Sequence, residues 1–163
     1  MKLLIKQPKT FQENYEIYSD SKIFGRLNCK GLIRSQAFAE AEGKKWKFEQ
    51  KGLFNTRVLI KPENSDTPIA EFHSGAFSSG GTLKLNGKEF KFKSTSWWKS
   101  NYIWTDGNNK EIIRYKTGGM LKMNGEVEVD VDISDPNNLL LILLGLYQVK
   151  LINDATSAAV AAS

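Results

Sequence analysis

Residues 139–147 of this 163-residue chain read LLLILLGLY, and no other segment constrains the fold as strongly. Proline suits the first turn of a helix and an Asp or Ser suits its cap, so Pro136 behind Ser134 and Asp135 predicts a helix start. On a helix drawn from there, Asn137 and Gln148 share one direction, and Leu141 and Leu144 lie between them on it. No polar stripe survives through the middle turns. A helix apolar all round must be surrounded on every side, so what encloses it decides the architecture.

Lipid or protein could enclose it. A bilayer span needs about 20 consecutive apolar residues, whereas this run stops at Tyr147 and is followed by Gln148 and Lys150. A helix over residues 136–152 would be roughly 25 Å long at ~1.5 Å per residue, which suits the axis of a small domain better than a membrane. Composition agrees: 40% hydrophobic and 25% charged residues are ordinary globular usage. Cys29 is alone, which removes an intramolecular disulfide framework and a thiolate zinc cluster. The opening residues 1–8 hold too short an apolar run for a secretory signal, making the cytoplasm the expected compartment. The net charge of +5 favours anionic partners without selecting one.

Before Asp135 the chain is a series of short β-rich runs separated by turn residues: 3–5, 15–18, 23–27, 36–41, 45–51, 57–61, 69–73, 102–105 and 111–115. Between them, residues 82–93 (TLKLNGKEFKFK) give the sharpest local reading. Asn86-Gly87 favours a type I′ turn, because both central residues need positive φ. That turn sets Leu83 opposite Phe90 and Lys84 opposite Glu89, with Leu83, Leu85, Phe90 and Phe92 on the buried face. Residues 126–133 (EVEVDVDI) repeat the alternation, with Val127, Val129, Val131 and Ile133 inward and four carboxylates outward. Calcium sites wrap a loop around the ion, whereas carboxylates on a straight strand are spaced about 7 Å apart. They therefore predict a solvated face neutralised by neighbouring Lys or Arg, and no metal is expected.

About twelve strands then precede one all-round apolar helix. The expected fold is mainly β: a closed antiparallel barrel of about twelve strands wrapped around a central hydrophobic C-terminal helix. Closure removes exposed edges and gives the helix its enclosure. A two-sheet sandwich with the helix outside is the alternative, but an outside helix should show a polar stripe. The domain spans residues 1–152, with the helix at 136–152, and residues 153–163 are expected to be a frayed extension or disordered tail.

Several pieces, in order along nearly the whole chain, carry a resemblance: YEIYSD at 15–20, IFGR at 23–26, GKKWKF at 43–48 and KGLF at 51–54. Trp97-Trp98, Asp106-Gly107 and Asp135-Pro136 before the leucine run continue it. Together they resemble the tubby C-terminal-like superfamily, which includes LURP-one-related proteins and phospholipid scramblases. The resemblance implies a twelve-stranded barrel around a hydrophobic helix and raises the expectation of anionic lipid binding. It carries no binding residue over: no tubby headgroup motif is recognisable, and a scramblase-like cysteine cluster is absent.

Candidate residues come from the chain itself. Lys44, Lys45 and Lys47 surround Trp46 at a turn and strand start, and Lys99 follows a tryptophan pair, so these four lysines are the candidates for a lipid-headgroup or other anion site. Trp97 and Trp98 cannot both face inward on a strand; one covers a barrel end or serves as a membrane or partner contact. Nucleic acid is not expected, because stacking needs exposed aromatics. His73 has no nucleophile elbow or metal-ligand spacing beside it and reads as a surface or structural residue. Residues 75–81 (GAFSSGG) lack the phosphate-loop ending. No catalytic residue and no cofactor is assigned. The expected function is a monomeric, non-enzymatic binding or scaffold module for anionic phospholipid headgroups, peripheral to a membrane. A hydrolase-type enzyme with a barrel-end pocket and a protein-interaction module are the alternatives.

Overall fold

A computed structural model describes residues 1–10, 12–30, 36–52, 56–75, 80–96, 100–118 and 122–163. Its elements are β1 (Lys2–Lys6), β2 (Asn14–Ser19), β3 (Lys22–Lys30), β4 (Gln36–Ala41), β5 (Lys44–Lys51), β6 (Arg57–Pro62) and β7 (Ala70–Ser74). They continue with β8 (Gly81–Leu85), β9 (Lys88–Ser96), β10 (Asn101–Thr105), β11 (Glu111–Gly118), β12 (Asn124–Val129) and α1 (Pro136–Ala162). The strands form an up-and-down antiparallel meander that closes when β1 pairs with β12. A closed sheet leaves no unpaired edge.

Turn chemistry marks one end of the barrel. Asp20 and Ser21, Glu42 and Gly43, and Asn86 and Gly87 all have positive φ, as two-residue hairpins of the I′ kind require. The last turn fixes the expected register, Leu83 opposite Phe90 and Lys84 opposite Glu89. Alternate connections of a meander lie at the same end, so these three turns share it. The helix starts there too: Asn86 Nδ2 donates to Asn137 Oδ1 at 3.0 Å.

Helix α1 occupies the barrel axis. Asp135 is its cap, accepting from Asn137 N at 2.8 Å, and Pro136 fills the first turn. Every residue from 139 to 150 is buried, including Gln148 and Lys150. By length and composition the helix could cross a membrane, yet 67% of its apolar window lies inside the barrel. The sandwich alternative, with the helix outside, is thereby removed. Around the helix, Phe72, Phe92, Tyr102, Trp104 and Tyr115 form an aromatic wall. The Tyr115 hydroxyl hydrogen-bonds the Ile142 and Leu141 carbonyls at 2.9 and 3.1 Å. Gly145 interrupts the leucine run because a Cβ there would overlap the Tyr115 hydroxyl and the Trp104 indole nitrogen.

Among the boundaries that differ from the sequence expectation, two lie around the helix. The last strand ends at Val129, not Ile133. Val129 completes its pairing with Met1, and the chain then bends as Asp132 accepts from the Ser134 amide and hydroxyl at 2.9 and 2.8 Å. Val131 and Ile133 still pack on the core. The helix also continues past Ile152 to Ala162, with residues 154–163 exposed. Alanine has the highest helix propensity, and extending a formed helix needs no new nucleus, so this segment stays helical without packing.

Candidate anion-binding site

Strand alternation turns Trp46 and Phe48 into the core and leaves Lys45, Lys47, Glu49 and Lys51 on the outer wall. Pairing with β6 sets Lys47 directly opposite Lys61, and Glu49 opposite Leu59. Like charges facing each other across a ladder are destabilising. Glu49, one outward position along from Lys47, offsets them. Its Oε1 lies 3.1 Å from Lys47 Nζ, and its Oε2 lies 3.2 Å from Lys61 Nζ and 3.3 Å from Lys51 Nζ. Three ammonium groups therefore converge on one carboxylate.

The cluster is shielded in an uneven way. Only 5% of Glu49 is exposed although it points outward. Lys61 and Lys47 are largely covered, and Lys51 is more open. Burial pulls the Glu49 pKa upward. The hydrogen bonds from Lys47, Lys61 and Lys51 together outweigh it and leave the value lowered to about 2. A fourth partner stands outside: Asp66, on the β6–β7 connection, approaches Lys47 to 3.8 Å and is 98% exposed.

The candidate lysines read from the sequence separate in space. Lys47 belongs to the cluster. Lys45 lies opposite Glu40 on β4 and pairs with Glu63 at 3.6 Å, so its charge is neutralised locally. Lys44 is exposed at the β4–β5 turn, at the end away from Lys51. Lys99, Trp97 and Trp98 lie outside the described residues. Sequence reasoning missed Lys51, Lys61 and Glu49. The alternation Lys47-x-Glu49-x-Lys51 on one strand face was a usable signal, whereas Lys61 joins only through the β5–β6 register.

Several other charged groups are paired. The carboxylate row on β12 and beyond meets lysines of neighbouring strands and of the β10–β11 connection: Glu126 with Lys2 at 2.7 Å, Glu128 with Lys116 at 2.6 Å and Asp130 with Lys110 at 3.2 Å. His73 is exposed beside Glu71 at 3.5 Å. Where the helix leaves the barrel, Lys150 is 3% exposed and held by Asp154 at 2.7 Å and Glu13 at 3.3 Å. Burial pulls the Lys150 pKa down, and the hydrogen bond and charge of Asp154, with Cys29 and Glu13 nearby, more than reverse it. A cleft of about 1000 Å³ opens there, bordered by Glu13, Tyr15, Lys122 and the helix extension. Cys29 is buried, and that burial pushes its thiol up to about 12 despite the opposing charge of Lys150.

No family model, curated protein or solved structure matches the chain.

Proposed function

We propose that this protein is a non-enzymatic, tubby-like binding module that takes anionic phospholipid headgroups on the outer wall of its barrel. One observation carries the reading: Lys47, Lys51 and Lys61 converge on a single carboxylate, which leaves a fixed excess of positive charge on a closed, rigid wall. The barrel axis is filled by α1, so a ligand must bind outside or at a rim. The cleft at the helix exit favours binding over hydrolysis, since Glu13 and Asp154 both direct their charge at Lys150. The resemblance to tubby C-terminal-like proteins points the same way.

Co-sedimentation with phosphatidylcholine vesicles, with and without anionic lipid, tests this reading. Binding is expected only with anionic lipid and should weaken as salt screens the charges. Replacing Lys47 and Lys51 with Gln, with Lys61 kept to hold Glu49, should lower affinity about tenfold or more at ~1 kcal/mol per basic residue. No binding at low salt would overturn the proposal.

A further inference from the structure

Charge arithmetic at the cluster narrows the ligand, and this step rests on the headgroup reading above. Three lysines against Glu49 leave an excess of two positive charges. A phosphate monoester carries about −1.5 to −2 at neutral pH and presents three acceptor oxygens. A phosphodiester headgroup carries one charge. Each ammonium has three donors, so contact with Glu49 leaves every lysine with donors to spare.

Asp66 sets the charge that an incoming anion must replace. Its carboxylate stands 3.8 Å from Lys47 Nζ, beyond hydrogen-bond range, on a side chain almost wholly in water. It supplies one negative charge at the open side of the cluster and can leave at little cost. A monoanion that displaces it exchanges one charge for another and gains little. A dianion gains a further charge interaction. We propose that the Lys47–Lys51–Lys61 cluster is a phosphate-monoester site in which Asp66 acts as an exchangeable internal counter-ion. Lipid-borne and soluble monoesters share this chemistry.

The experiment compares phosphatidylcholine vesicles carrying phosphatidate, a monoester, with vesicles carrying phosphatidylglycerol, a diester, at equal total surface charge. Glycerol 3-phosphate serves as the soluble probe, followed by NMR shifts at Glu49 and the three lysines. The wild type should prefer phosphatidate by about fivefold or more, the scale of one additional basic contact near a membrane. Asp66→Asn should tighten binding to both vesicles by a similar factor, because each headgroup is spared the same displacement, and should leave the preference in place. Lys51→Gln should abolish the preference while the circular dichroism spectrum stays that of the wild type. Equal binding to both vesicles would overturn the monoester assignment and leave the headgroup reading standing. Shifts with glycerol 3-phosphate but no vesicle binding would support the monoester site and overturn the lipid reading. An Asp66→Asn protein with unchanged affinities would remove the counter-ion role.

Discussion

Replacing Glu49 with Gln removes the carboxylate from among three ammonium groups and changes little else in shape. In the folded protein the Glu49 carboxyl is lowered from an ordinary 4.5 to about 2. At ~1.4 kcal/mol per pKa unit that difference corresponds to about 3 kcal/mol at neutral pH. Glu49 lies on the outer wall among lysines that reach water, so screening reduces the expected effect to about 2 kcal/mol. The sign follows from linkage: a depressed folded-state pKa contributes stability that is fully present above 4.5 and is lost as pH falls toward 2. Other carboxylates with lowered values, such as Glu128 and Asp132, are common to both proteins and cancel in the difference.

Urea unfolding of the wild type and Glu49→Gln across this pH range measures the effect. The variant should be less stable by about 2 kcal/mol at neutral pH, and the gap should shrink through the acid window and close near its lower limit. Sulfate, a dianion, should narrow the gap at neutral pH more than chloride at equal ionic strength, because the variant leaves Lys47 facing Lys61 with only the exposed Asp66 nearby. A variant as stable as the wild type at neutral pH would refute the claim that Glu49 holds the cluster together. A gap independent of pH would assign the loss to packing instead.

Further outcomes follow from the core and the helix. Gly145→Ala should lower stability by about 3 kcal/mol in urea unfolding, since Trp104 and Tyr115 are fully buried and have no room to recede; an unchanged midpoint would show that the aromatic wall does not close on the helix. Truncation after Asp154 should change stability by less than about 0.5 kcal/mol. Truncation after Ile152 should cost about 1 kcal/mol more, because Lys150 loses its 2.7 Å partner, and deletion from Leu139 onward should prevent cooperative folding altogether. Cys29, buried and with its thiol pushed up to about 12, should resist a thiol reagent in the native state and react once urea is added; rapid native labelling would contradict its placement.

What was legible in the sequence is what local chemistry determines. The leucine run announced its own enclosure because it lacks a polar stripe, and the Asn86-Gly87 turn determined which residues of β8 and β9 face each other. The outward row from Glu126 was readable because alternation has a period of two, although its end at Val129 depends on where Met1 pairs. The reason for Gly145 was hidden, because it lies in side chains of β10 and β11 that reach the helix only after closure. The pairing of Lys150 with Glu13 was hidden for the same reason: the two are far apart in sequence.

The candidate site stands on the same boundary between local and distant information. Lys47, Glu49 and Lys51 share a face by alternation alone. Lys61 joins them because Phe48 lies opposite Ile60, both fully buried, and that apolar pair fixes how β5 and β6 align. Shifting β6 by one residue would turn Lys61 toward the core and Ile60 toward water, a change no closed barrel filled by a helix could accommodate. The convergence of three lysines on Glu49 is therefore enforced from inside, by the packing around α1. A charge cluster on a free hairpin could relieve its repulsion by slipping register or splaying its strands. Here the wall cannot yield, so the lysines stay together, and only Glu49 and the exposed Asp66 offset their charge.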